Sequence, residues 1–272
     1  MSSAQPADDV YEFVNVGDVY PEWTIAVTNA YQAAKHRCCG IDTGVFGNMV
    51  DVAILATLSG WRVRIPNDTA GFVHLEQTAT QPRPIHFGER LTVRGSVTAI
   101  EPVARGHVIR GVFDFFRDDG SLALSTTRAG MRFGPAGSQK GSTRAATAPE
   151  ADPRQGLREI VRKQLTPEGV RDYSDGGGPV HKDPEYARKI GLRSPVAAGV
   201  MGMHWMLEAL ARERPYQAVD IAIDLKRPIF WDEEIALWGH PVAGKPGAYD
   251  VMRVLNREGK VTVDGRVRSV GW

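Results

Sequence analysis

Apolar residues recur along this chain with two periods, and the two periods follow each other twice in the same order. Val45, Met49, Val52 and Ala56 share one helical face, and so do Val200, Met203, Leu207 and Leu210. Both stretches are apolar on further faces as well, the pattern of a helix enclosed by the rest of the fold. Alternation with a period of two comes next, clearest at Leu91/Val93 and Val261/Val263. It predicts strands over 72–80, 89–99, 107–116 and 121–132, then over 218–226, 233–242, 249–256 and 260–270. A long helix against a curled antiparallel sheet is an α+β arrangement.

Three short blocks match between the halves. Val27-Thr28 pairs with Leu165-Thr166 at an offset of 138, and Gly44-Val45-Phe46-Gly47 pairs with Gly199-Val200-Met201-Gly202 at 155. Arg83-Pro84-Ile85 pairs with Arg227-Pro228-Ile229 at 144. Their common order predicts a duplicated domain. The first unit is read as 1–133 and the second as 157–272, joined by a Gly-, Ser-, Ala- and Pro-rich linker over 134–156. The first two offsets differ by 17 residues, an excess in the second half between Gly178 and Gly199. That segment carries His181, Asp183 and Glu185, so function is expected in the second copy, with the first as scaffold or groove wall. Asp183 is expected to cap a short helix over 184–190, since Pro184 and Glu185 suit a first turn.

Composition narrows the partners. The 272 residues carry a formal net charge of +1, which predicts neither a nucleic acid nor an anionic membrane as partner. No run approaches the roughly 18 apolar residues of a membrane span. The polar, acidic start MSSAQPADD is unlike a signal peptide, and the adjacent Cys38 and Cys39 exclude a disulfide scaffold. A cytoplasmic setting is expected. No glycine-rich nucleotide motif or zinc-ligand spacing occurs, so no metal or nicotinamide is expected.

The run Tyr173-Ser174-Asp175-Gly176-Gly177-Gly178-Pro179-Val180-His181-Lys182-Asp183-Pro184-Glu185-Tyr186-Ala187 continues through Gly191-Leu192 and Pro195-Val196 to Ala198-Gly199-Val200-Met201. It resembles the hydratase-2 motif of MaoC-like proteins, hotdog-fold (R)-specific enoyl-CoA hydratases and acyl dehydratases. With the repeat, the resemblance implies a double hotdog. It further implies addition or removal of water across an enoyl or 3-hydroxyacyl thioester, with CoA or an acyl carrier protein as carrier and no separate cofactor. A homodimer is expected. His181 is the expected base, Gly199 the oxyanion amide and Val200 its neighbour, with Met201, His204 and Phe46 beside the acyl chain. The sequence departs from the motif at Gly176, Gly178 and Ala198, where the family carries Asp, Asn and His. Asp175 stands one residue before the family's catalytic Asp, in a glycine-rich loop permissive enough to re-phase it. Two alternatives stay open: another hotdog enzyme (thioesterase, acyltransferase or decarboxylase) or a non-catalytic subunit that binds acyl thioesters.

Other chemistry-bearing residues are read more plainly. His36, near Cys38 and Cys39, is read as part of a packed surface. Asp51 and Glu208 lie on the two predicted central helices, where some hotdog thioesterases carry a carboxylate, and are read as reaching the solvent edge.

Overall fold

The computed structural model describes residues 15–60, 72–104, 106–133, 152–175 and 177–272. Most of the predicted linker lies outside the described residues. Ten strands form one antiparallel sheet: β1 (Val19–Ile25), β2 (Phe72–Gln81), β3 (Leu91–Val103), β4 (Gly106–Phe116), β5 (Leu122–Phe133), β6 (Arg158–Gln164), β7 (Ala218–Leu225), β8 (Glu234–Pro241), β9 (Tyr249–Asn256) and β10 (Val261–Gly271). Five helices accompany them: α1 (Asn29–Cys39), α2 (Val52–Gly60), α3 (Pro167–Tyr173), α4 (Pro184–Lys189) and α5 (Met201–Ala211).

The strand order is β1-β3-β4-β5-β2-β7-β10-β9-β8-β6. Read outward from the centre, each half has the same order, and the halves join edge to edge through β2 and β7. In that joint Thr78 pairs with Ala222, 144 residues on. This is also the separation of Arg83 and Arg227, so an approximate two-fold axis passes through the pair. All eight predicted strands are present to within a few residues. The pattern missed β1 and β6, which form the two edges. β1 is largely exposed, and its pairing is interrupted between Tyr20 and Trp23, where Pro21 sits. β6 is charged along most of its length, as edges that avoid further pairing tend to be.

The helices sharpen the repeat and correct one block of it. Thr28 Oγ1 accepts the Tyr31 amide at 3.2 Å, and Thr166 Oγ1 accepts the Gly169 amide at 3.1 Å. These are equivalent N-caps for α1 and α3, at the predicted offset of 138. The Gly44–Gly47 match with Gly199–Gly202 is not structural. Residues 43–46 form a 3-10 turn ahead of the helix, and α2 begins only at Val52. The Val50 amide donates to the Ile85 carbonyl at 2.7 Å, and the Ala197 amide to the Ile229 carbonyl at 2.8 Å. Val50 therefore corresponds to Ala197, at an offset of 147, and the second half's excess shrinks to nine residues. A four-residue likeness misled because two glycines in a turn look like two glycines at a helix start.

The central helices pack on the sheet, α2 against β2 and β5 and α5 against β9 and β10. All eleven residues of α5 are buried, as are Val52 through Ala56 of α2. Close approach depends on glycine: a Cβ on Gly199 would collide with Leu225, and one on Gly202 with Val263. Among the described residues, no helix is long and apolar enough to cross a membrane.

Candidate functional site

The second half's excess residues lie against the segment that leads into α5. α3 ends at Tyr173, and the Gly177 amide turns back to the Ser174 carbonyl at 2.7 Å. A 3-10 turn over Pro179–His181 follows. His181 Nδ1 lies 2.7 Å from the Val196 carbonyl oxygen. A carbonyl only accepts, so Nδ1 carries the proton and Nε2 presents its lone pair. The Val196 amide donates back to the Val180 carbonyl at 3.1 Å, which locks the turn to the approach of α5. Burial is the largest influence on His181 and holds it below the usual histidine range. The bond to Val196 opposes this, while Lys182 and Arg128 push the same way as burial. The ring is therefore a neutral base at neutral pH. The loop passes close beneath it: a Cβ on Gly177 would sit 3.3 Å from His181 Cδ2 and 2.9 Å from the Ser174 carbonyl.

The other expected site residues divide. Gly199 and Val200 lead into α5, and neither amide donates to a partner among the described residues. Asp183 caps α4, accepting the Glu185 and Tyr186 amides at 2.8 and 3.2 Å, as the sequence predicts. Asp175 is exposed and faces α1. Its charge acts on Tyr31, which burial first and Asp175 second push up to about 12, and on Lys35. Among the described residues no hydrogen bond or ion pair joins Asp175 to His181. Phe46, Met201 and His204 are fully buried. The Phe46 ring lies 5.0 Å from that of His36 and 6.4 Å from that of Tyr216.

The structure also assembles a cluster that the sequence left scattered. His36, Asp51 and His204 are wholly buried. The solvent-facing readings of His36 and Asp51 are thus corrected, because the face of α1 that carries His36 packs inward. Asp51 Oδ2 lies 2.9 Å from His36 Nε2 and 2.5 Å from His204 Nδ1, while its Oδ1 caps α2 by accepting the Ala53 amide at 2.9 Å. Gln32 braces the segment, accepting the Asp51 amide at 2.8 Å and donating to the Met49 carbonyl at 3.1 Å. On its far side His204 Nε2 lies 2.8 Å from the Tyr173 hydroxyl. Burial raises the Asp51 carboxyl, but the charge of His204 and the bonds from His204 and His36 outweigh it and hold Asp51 well below the usual range. The three donor atoms lie within 4.8 Å of one another and are of types that bind zinc. Both Asp51 oxygens are already engaged, however, so hydrogen bonding alone accounts for the arrangement. Glu208, also read as solvent-edge, is buried and pairs with Lys163 at 2.8 Å.

One signal for the cluster was present in the sequence. Gln32 and His36 stand four apart on a helix, and Asp51 immediately precedes the apolar run Val52–Leu58, the usual place of a capping residue.

No protein-family model matches the chain, and no curated protein matches it. Solved structures do. HtdX of Mycobacterium tuberculosis superposes with a TM-score of 0.68 at 20% identity, covering 93% of this chain and 99% of that one. A MaoC-like dehydratase from Phytophthora capsici gives 0.68 at 16% identity, covering 93% and 97%. A further Mycobacterium tuberculosis protein, described as having a double hotdog fold, gives 0.60 at 13% identity, covering 93% and 96%. Likeness over the whole length, a helix enclosed by the sheet in each half and two half-sheets joined edge to edge together give this chain the double-hotdog fold.

Proposed function

We propose that the protein adds water to, or removes it from, an enoyl or 3-hydroxyacyl thioester carried on CoA or an acyl carrier protein. The reaction takes place at one site, between His181 and the start of α5. The observation that carries this reading is the fixed tautomer of His181. Its Nδ1–H is held by Val196, three residues ahead of Gly199, which leaves Nε2 as a neutral acceptor.

In the hydration direction, Nε2 takes a proton from water as the oxygen bonds to the substrate's β-carbon. Electrons move to the thioester oxygen, where the Gly199 and Val200 amides and the positive end of α5 stabilise the developing enolate. The imidazolium then returns its proton to the α-carbon, so one water is added and the histidine is restored. Asp175, one residue ahead of the position where the family's carboxylate stands, is the group that would share the water, by rotation of the glycine-rich loop.

The test is turnover of a panel of enoyl and 3-hydroxyacyl thioesters, followed by the absorbance of the conjugated thioester. His181→Ala is expected to slow turnover by about 10²–10⁴-fold. The acid limb of kcat/KM is expected below the ordinary histidine value of about 6.5, because burial lowers His181. An intact protein that turns over none of the panel, or a His181→Ala variant as fast as the parent, rules the reading out.

A further inference from the structure

The first half carries no hydratase-like loop, yet its buried cluster reaches the loop of the second half. We propose that Asp51, His204, Tyr173 and Lys35 form a positioning device that fixes the start of the segment leading from Tyr173 to His181. The catalytic meaning of this device rests on the thioester reading above, while the mechanical part stands without it.

The argument begins at Tyr173, the last residue of α3, from which the loop departs. Its hydroxyl lies 3.3 Å from Thr57 Oγ1 and 2.8 Å from His204 Nε2. Thr57 donates to the Ala53 carbonyl at 2.7 Å. Its one proton is thereby used, so Thr57 accepts from Tyr173. The Tyr173 oxygen is then left to accept from His204 Nε2–H, while the Asp51 carboxylate accepts His204 Nδ1–H at 2.5 Å. Both ring nitrogens of His204 are thus engaged, one on the Asp51 carboxylate and one on the Tyr173 hydroxyl. The chain of donors has a single direction, and it ends on the residue that launches the loop.

Lys35 secures the same point through the backbone. Its Nζ donates to the Asp172 carbonyl at 3.1 Å and to the Tyr173 carbonyl at 2.7 Å. These carbonyls end α3, where that of Asp172 also takes the Asp175 amide at 3.4 Å, and a cation there suits the helix dipole. Both ties come from α1 and from the seam between halves. They matter because the loop continues as Gly176-Gly177-Gly178. Glycine loses the most conformational freedom on ordering, so such a loop needs its start fixed if its later residues are to keep place. The place is tight, since Gly177 lies against both Ser174 and His181. In this arrangement the half without the motif supplies the anchor for the half with it.

The test is amide hydrogen exchange on the full-length protein, read locally. Tyr173→Phe removes only the hydroxyl. Lys35→Met removes the carbonyl ties and Lys35→Arg keeps them. Exchange over 174–181 is expected to rise roughly tenfold in Tyr173→Phe and Lys35→Met, to recover in Lys35→Arg, and to stay unchanged in β7–β10. For a thioester that is turned over, kcat is expected to fall by up to about 10²-fold with KM little altered, since misplacement rather than lost binding is at work. Unchanged exchange over 174–181 in both Tyr173→Phe and Lys35→Met overturns the proposal, whatever happens to the melting temperature. A loosened loop in a protein that turns over no enoyl thioester supports the positioning device and removes the hydratase reading alone.

Discussion

At the start of the central helix the two halves carry opposite chemistry on the same backbone. Where the second half has Ala198, the first has Asp51, since the neighbouring Val50 and Ala197 make the same hydrogen bond to the Arg-Pro-Ile strand. By the same offsets, Ser174 stands where the first half has His36, and Thr57 where the second has His204. The first half fills its helix start with a carboxylate and seals it among rings. The second leaves its helix start small and apolar, with two amides that donate to no partner among the described residues, and His181 is bonded to Val196 just ahead of it. Duplication supplied two equivalent positions. One carries a buried carboxylate and the other a small apolar residue.

The largest effect should come from breaking the anchor on one side only. Asp51→Ala leaves the buried His36 and His204 rings without the carboxylate they share and uncaps α2, and is expected to cost about 3–5 kcal/mol. Exchanging each of the three residues for its counterpart in the other half, as His36→Ser, Asp51→Ala and His204→Thr together, should cost less than Asp51→Ala alone, because no buried histidine is left facing a missing carboxylate. Denaturant melts of both variants decide this, and a triple variant less stable than the single one contradicts the account.

A smaller effect should follow pH. Asp51 has a folded-state pKa below its unfolded value, so its contribution is fully present above about pH 3.9 and is lost as pH falls below that. His181 is also lowered on folding, so its contribution is present above about pH 6.5 and declines as pH drops toward its folded value. Stability measured from pH 7 to pH 3 should therefore fall in two stages, with His181→Gln removing the first and Asp51→Asn the second.

The smallest effect tests the likeness of the halves. Thr28→Ala and Thr166→Ala each remove one N-cap and should each cost about 1 kcal/mol. A clear inequality between them would show that one half carries more of the packing load than symmetry suggests.

Much of the fold was legible because its signals are local. Alternation such as Leu91/Val93 marks strands with one face buried, and Asp183 ahead of Pro184 marks a helix start. The edge strands β1 and β6 were not legible, since an edge exposes both faces in part and blurs the alternation. In the candidate site, the loop and His181 were legible through the resemblance, and Gly199 through its place at a helix start. The partners of His204 were not: Asp51 lies 153 residues away and Tyr173 lies 31. No periodicity in a single stretch reports such meetings.

The sequence by itself determined two helix-and-sheet units, their order and the loop that carries His181. These depend on side-chain period and capping, which act over a few residues. Only the tertiary structure decided which helix starts are equivalent, that Asp51 and His204 share one buried hydrogen bond, and that Asp175 faces α1. Those outcomes follow from how two curved half-sheets close around two helices, and burial then selects which polar groups must find each other.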